Sequence, residues 1–515
     1  MAVVTRSVVQ GLLAAICCFA GCRMMGAVPG LNEAGGARDV SREPTSTPVN
    51  GGTENVRSSH EFAPAENAPR SAILSDEARV LRHAAQLAVL GEDGQGVEDP
   101  RPRPLGLLPG GAQNPEQARG FFTPMQTLIG ADPLANFEMA LRELEKGERE
   151  EPLRIAVYGA SAVVADLWTG YLRHYLQGRF GNGGPGMVAA AKPTSWYRHQ
   201  ELRIESSKHW TRNNAYHRDE ADGISDPGNF GAMGQSLRSD SKRAWTKISP
   251  ARRAQAPEQI AFYEVHHLLQ PDGGRYRIRV DGKEVGLVST ATEGGDPSGL
   301  GRFRVAVEIG STHELRIEVV GDGMVRLLGV VAETAAEDHR AGIVVDTLGL
   351  NGAMTSNQAR WNEMLWLEHL KTRAPELIVF AYGNNESAEE ELSMETFERD
   401  FRAMLDRFRR AASAASCVVV APGDFPRVER DSGELSARPR QAEIRAVERE
   451  LSDEYGCAFF DTLALMGGDG AKKIWFEAGL AQADHLHLTR RGYVLLGMVF
   501  ADALLYGYDD EISRR

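Results

Sequence analysis

The sequence predicts an α/β protein built on a doubly wound, five-stranded parallel sheet, with a β-sandwich of jelly-roll type inserted into it. Two patterns carry this prediction. Short apolar runs rich in β-branched residues recur at Ile155–Tyr158, Ile343–Asp346, Leu377–Tyr382, Val418–Ala421 and Ala458–Phe460, and each leads into a stretch with apolar residues at helical spacing. Strands that alternate with helices close into a parallel sheet covered on both faces. Between the first and second runs, from Gln200 to Glu333, the chain changes to short alternating segments separated by turn residues, as in an antiparallel sandwich.

The elements are justified in chain order. Residues 1–22 read as a secretory signal: Arg6 gives a short positive start, and Val8–Phe19 is apolar but too short to span a bilayer. Phe19-Ala-Gly-Cys22 looks like a bacterial lipobox, which makes Cys22 a lipidation site and Cys17 and Cys18 part of the removed peptide; plain secretion or an uncleaved anchor are the alternatives. Residues 23–75 are Gly, Ala, Pro, Ser, Thr and charge, too poor in apolar residues to fold, and form a flexible tether. Residues 76–150 are a helical lead-in, with one short helix over Asp76–Leu90, a breaker-rich stretch over Gly91–Gly111, and a helix over Pro133–Glu148 whose Leu134, Phe137, Leu141 and Leu144 share a face.

The sheet domain then begins and occupies residues 151–195 and 336–515, with the sandwich over 196–335. After the strand at Ile155–Tyr158, Gly159 makes a turn and Ser161 follows at once, ahead of a helix over Val164–Phe180. A serine on such a turn has its hydroxyl lifted above the sheet and its backbone N–H near unpaired helix donors, which suits a nucleophile; a plain helix cap is the other reading. Phe180-Gly-Asn-Gly-Gly-Pro-Gly186 ends a helix rather than starting one and has no following Lys-Ser or Lys-Thr, so it is a C-cap turn and not a phosphate loop. Within the sandwich, Asp281-Gly282 marks a hairpin, and His266 and His267 read as surface or hydrogen-bonded histidines rather than a metal site. Helices are expected over Trp361–Leu370, around Phe397–Phe408, over Ala437–Glu454 and over Gly492–Leu505. Cys417 and Cys457 each begin a strand, so they pair if those strands are neighbours and are buried thiols otherwise. The net charge of −13 and the lack of a basic cluster argue against a nucleic-acid partner.

Ligands in doubly wound sheets bind outside the carboxyl ends of the strands. The first strand ends at Ser161, the second at Leu348-Gly-Leu-Asn-Gly352-Ala, and the third at Tyr382-Gly-Asn-Asn385-Glu; Asp484-His-Leu-His487 stands before the last helix. These four blocks resemble, in order, those of the SGNH (GDSL-like) hydrolase superfamily, and with the inserted β-domain they are most similar to bacterial peptidoglycan O-acetylesterase-like proteins. The resemblance implies a flavodoxin-like sheet and acyl transfer. In that reading Ser161 is the nucleophile, His487 the base and Asp484 its partner, with an oxyanion hole from Ser161, Gly352 and Asn385, and no cofactor and no metal. It implies an O-acylated polysaccharide as substrate and, with the lipobox, a cell-envelope location in the periplasm or on the outer membrane. The same residues would serve an O-acyltransferase, and a glycan-binding protein with a degenerate site is a further alternative. A metal site of Asp484, His485 and His487 lacks a second cluster of ligands. One residue departs from the family pattern: Ala160 stands where the family has Asp before the serine, which removes a side chain from the hydrogen bonds of the turn.

Overall fold

A computed structural model describes residues 128–130, 134–215, 228–252, 254–292, 299–334, 341–429 and 432–514. Cys22, the signal peptide, the tether and the Asp76–Leu90 helix lie outside the described residues. α1 (Ala135–Glu145) buries Phe137, Leu141 and Leu144, as their spacing predicts, and leads to β1 (Leu153–Gly159). β1 alternates between two hydrophobic cores. Leu153, Ile155 and Val157 face one, and Ala156 and Tyr158 face the other, which is the pattern of a strand covered on both sides.

α2 (Ser161–Val164) and α3 (Trp168–Phe180) follow β1. The continuous helix expected from Val164 is therefore broken, and the cause is Asp166, which takes a left-handed φ of 49°. Its buried carboxylate accepts hydrogen bonds from Thr169 Oγ1 (3.0 Å), Arg173 Nη2 (2.8 Å), Thr347 Oγ1 (2.8 Å) and the Gln200 N–H (2.7 Å). An aspartate tolerates that conformation better than most residues, and these partners repay the strain.

The chain then builds two antiparallel sheets from β2 (Gly186–Val188), β3 (Leu202–Ser206), β4 (Thr211–Asn214), β5 (Gln235–Ser239), β6 (Trp245–Pro250), β7 (Ile260–Leu269), β8 (Arg275–Val280), β9 (Lys283–Ser289), β10 (Gly299–Ala306), β11 (Leu315–Val319) and β12 (Val325–Thr334). One sheet runs β10-β7-β12-β5-β4 with β2 added beside β12, and the other β3-β6-β11-β8-β9. Their inner faces share a core that includes Leu237, Val265, Ile278 and Ile317. The β8–β9 hairpin turns at Asp281 (φ 49°) and Gly282 (φ 78°), two left-handed residues in succession as a tight hairpin requires. His266 and His267 are both buried: His266 lies between Glu264 Oε1 (2.8 Å) and His369 Nε2 (2.6 Å), and His267 meets the Tyr276 hydroxyl (3.0 Å).

The parallel sheet is completed by β13 (Ile343–Gly349), β14 (Leu377–Ala381), β15 (Ser416–Val420) and, after a small β16 (Arg427–Val428) and β17 (Leu435–Ser436) hairpin, β18 (Ala458–Phe460). Its order is β13-β1-β14-β15-β18, so the first strand lies between the second and third in the flavodoxin manner. Helices α4 (Glu363–Arg373), α5 (Asn384–Ala388), α6 (Met394–Ala411), α7 (Pro439–Glu454), α8 (Thr462–Met466), α9 (Ala471–Glu477) and α10 (Arg490–Arg514) connect and cover the strands. β15 and β18 are neighbours, and Cys417 and Cys457 form a disulfide between their first ends.

The Asp166–Arg173 pair is buried at both ends. Replacing Asp166 by Ala leaves the guanidinium without its main partner, which is expected to cost about 3–5 kcal/mol. The double variant Asp166→Asn with Arg173→Met removes both charges, keeps a residue that tolerates the left-handed φ, and is expected to recover part of that loss. Urea-unfolding midpoints of the two variants against the parent check this, and equal losses in both would refute it.

Candidate active site

β1 ends at Gly159, where an added Cβ would lie 2.7 Å from the Ala381 carbonyl oxygen and 2.6 Å from Val163 Cγ2. Only glycine lets β14 and α2 approach this closely. The turn is held by backbone: Val163 N–H and Val164 N–H donate to the Ala160 carbonyl (3.0 and 3.1 Å), and Leu350 N–H donates to the Gly159 carbonyl (2.9 Å). Ala160 offers no side-chain cap to α2. These main-chain bonds hold the turn on which Ser161 stands.

Ser161 Oγ lies 3.0 Å from His487 Nε2, and His487 Nδ1 lies 2.7 Å from Asp484 Oδ2. The other oxygen of Asp484 accepts the N–H groups of Leu486 and His487, both at 3.0 Å. One carboxylate thus orients both the ring and the backbone of the histidine. Partial burial works against ionisation of Asp484, but the bonds and charge of His487 and the two N–H groups outweigh it, so the carboxyl sits below its ordinary range. The structure brings His487 and not His485 to the serine. His485 takes a left-handed φ of 52°, and its ring packs edge-on against Phe476 with centroids 5.2 Å apart.

Gly352 is the third residue of a turn closed by Ala353 N–H to the Leu350 carbonyl (3.0 Å), and its φ of 74° suits glycine. Asn385 donates from Nδ2 to the Ala353 carbonyl (2.8 Å), which spends one of its two amide hydrogens on the Gly352 turn. Glu386, buried, closes the same join: its Oε1 accepts Thr355 N–H (2.8 Å) and its Oε2 accepts Gly383 N–H (3.0 Å). Ser161, Gly352 and Asn385 are thereby linked through short hydrogen-bonded turns at one end of the sheet. The glutamate's role was readable only as a capping-box spacing from Gly383. Lys472 lacked even that signal: one of two adjacent lysines in a helix reads as surface, yet it is buried and its Nζ donates to the Leu486 carbonyl (3.2 Å). Among the described residues, no group of three or more His, Cys, Asp or Glu could hold a metal ion.

A serine hydroxyl bonded to an imidazole that is itself held by a carboxylate is the arrangement of a serine acylhydrolase. Residues 320–495 match the model of the GDSL-like Lipase/Acylhydrolase family. The match takes in Gly352, Asn385, Asp484 and His487; Ser161 lies before it, on the far side of the inserted sheets. In fold, the chain is similar to a solved peptidoglycan O-acetylesterase at 20% identity, covering 75% of this chain and 99% of that one with a TM-score of 0.58. Smaller parts align with a GDSL-like lipase from Parabacteroides merdae (20% identity, 33% of this chain and 75% of that one, TM-score 0.26) and an acetyl xylan esterase (14% identity, 30% and 77%, TM-score 0.24). No curated protein matches the chain in sequence.

The two histidines are expected to separate in activity. His487→Ala is expected to lower kcat on a small acetyl ester by about three orders of magnitude or more, and His485→Ala to change it only modestly. A dead His485→Ala enzyme beside an active His487→Ala enzyme would reverse the assignment. If the second amide hydrogen of Asn385 serves charge that develops during reaction, Asn385→Ala is expected to lower kcat roughly 10²–10³-fold with little change in KM. Steady-state kinetics decide this one, and a change confined to KM would place Asn385 against the ground-state substrate instead.

Proposed function

We propose that the protein is a serine esterase that removes O-acetyl or other short acyl groups from a cell-envelope polysaccharide such as peptidoglycan. The observation that carries the reading is the hydrogen-bonded chain Ser161–His487–Asp484 at the carboxyl end of the sheet in a GDSL-like acylhydrolase domain. In this mechanism Ser161 Oγ attacks the ester carbonyl carbon while its proton passes to His487 Nε2. The carbonyl oxygen becomes an oxyanion, met by the N–H groups of Ser161 and Gly352 and the amide of Asn385. Collapse breaks the bond to the sugar oxygen, which takes the proton from His487, and leaves the acyl group on Ser161. Water then attacks, giving its proton to His487, and the second collapse releases the acid and returns the proton to Ser161.

The polysaccharide substrate is supported by the fold shared with the peptidoglycan O-acetylesterase and by the two β-sheets built around the same core. An envelope location, with an anchor at Cys22, is supported by the signal-like start of the chain and by the Cys417–Cys457 disulfide, a bond that persists in oxidising compartments.

The protein is expected to hydrolyse small acetyl esters and to release acetate from O-acetylated peptidoglycan. Ser161→Ala is expected to abolish both activities and covalent labelling by a serine-directed phosphonate. Labelling that persists in the variant would remove Ser161 as the nucleophile, and ester turnover without acetate release from the polymer would remove the substrate.

A further inference from the structure

The turn that carries His487 is an improbable piece of backbone. It holds His485 at a left-handed φ of 52°, a conformation that costs a non-glycine residue on the order of 1 kcal/mol or more and persists only when its surroundings over-determine it. Some of that determination is local. Asp484 Oδ1 takes the N–H groups of Leu486 and His487, Gln482 N–H donates to the His487 carbonyl (2.9 Å), and His485 N–H donates to the Gln482 carbonyl (3.1 Å). All of these lie within the turn itself and would travel with it if it moved.

Lys472 supplies a tie from outside. It projects from α9, and its Nζ reaches the Leu486 carbonyl at 3.2 Å. The peptide between Leu486 and His487 is therefore gripped at both polar ends: the carbonyl by Lys472 and the N–H by Asp484. That peptide unit sets where the His487 Cα and ring stand. The start of α9 is fixed in its turn, because the Lys472 backbone N–H donates to the buried Asp424 carboxylate at 2.7 Å. A lysine at this depth is an expensive tether. Burial lowers its affinity for the proton to a pKa of about 8, and the negative charges of Asp424 and Asp484 work against that loss. A residue serving only as packing would not need the ammonium.

We propose that Lys472 is a positioning residue for His487: its ammonium locks the Leu486–His487 peptide to α9 and so holds the imidazole in line with Ser161. The proposal rests on the esterase reading for its activity test but not for its structural one. In the full chain, Lys472→Met and Lys472→Gln keep most of the side-chain volume and remove the charge. Both are expected to lower kcat on p-nitrophenyl acetate roughly ten- to hundredfold, the scale of a small misplacement of a reacting group, with KM within about twofold. The low-field proton resonance of the His487 Nδ1–H bonded to Asp484, assigned by its loss in His487→Ala, is expected in the parent and to be broadened or lost in both variants. A folded variant that keeps the parent's kcat and this resonance overturns the proposal. So does a fall in kcat and thermal stability with the resonance intact, or failure of both variants to fold, since either makes Lys472 a structural residue only. If the parent hydrolyses no ester, the esterase reading fails, and the resonance alone decides the role of Lys472.

Discussion

Arg373 of α4 lies buried between two carboxylates, Asp346 of β13 at 2.8 Å and Glu333 of β12 at 2.7 Å. Glu333 also takes Arg154 of β1 at 2.9 Å, and Asp346 also accepts the Met187 N–H of β2 at 2.8 Å. Each charge is paired, so the desolvation each suffers is repaid in place, whereas loss of any one would strand the others. Glu333 and Met187 belong to the antiparallel sheets, Arg154 and Asp346 to the parallel one, and Arg373 to the helix between β13 and β14. The network thus fixes the inserted sheets against β1 and β13, the pair of strands that the insertion separates in sequence. The same strands, β1 and β13, end in Ser161 and the Gly352 turn, where their ladder is joined by the Leu350 N–H bond to the Gly159 carbonyl and by the Asp166–Thr347 bond.

The reactive end of the sheet is organised by a second principle, the sharing of single carboxylates between loops. Asp484 serves the ring and two backbone N–H groups of its own turn, and Glu386 ties the Gly352 turn to the Asn385 turn. Asp166 joins α2, α3, β13 and the Gln200 segment below the serine. Groups held this way are aligned before any substrate arrives, and little reorganisation remains for the moment of reaction. The missing aspartate at position 160 matters less in this setting, since the Ser161 turn is closed by main-chain bonds to Gly159 and Ala160.

The parallel sheet was legible because its strands are buried on both faces, so Ile155–Tyr158, Leu377–Tyr382 and Val418–Ala421 read as unbroken apolar runs. The candidate site residues, which the structure brings together, were legible because such sheets place ligands at strand ends, where few positions need be considered. Other parts were opaque for physical reasons. β4, Thr211–Asn214, is polar throughout and sits at the edge of its sheet, so it has neither an apolar run nor an alternation to show. The break at Asp166 depends on Arg173, Thr347 and the Gln200 backbone, partners supplied by the fold and not by neighbours in sequence. The cysteines could not be paired without the strand order, and Lys472 is distinguished from a surface lysine only by what covers it.

Ser161 and His487 stand 326 positions apart, with both antiparallel sheets and most of the parallel one between them. A serine hydroxyl without its base is a weak nucleophile. Until the last turn has been made and has docked, the Ser161 hydroxyl lacks the imidazole that lies 3.0 Å from it in the folded chain. β1 itself gains its ladder partners, β13 and β14, only from the second half of the chain. The closing contact is of very long range, the kind whose ordering cost falls late in assembly, so the Ser161–His487 contact reports on completion of the whole domain.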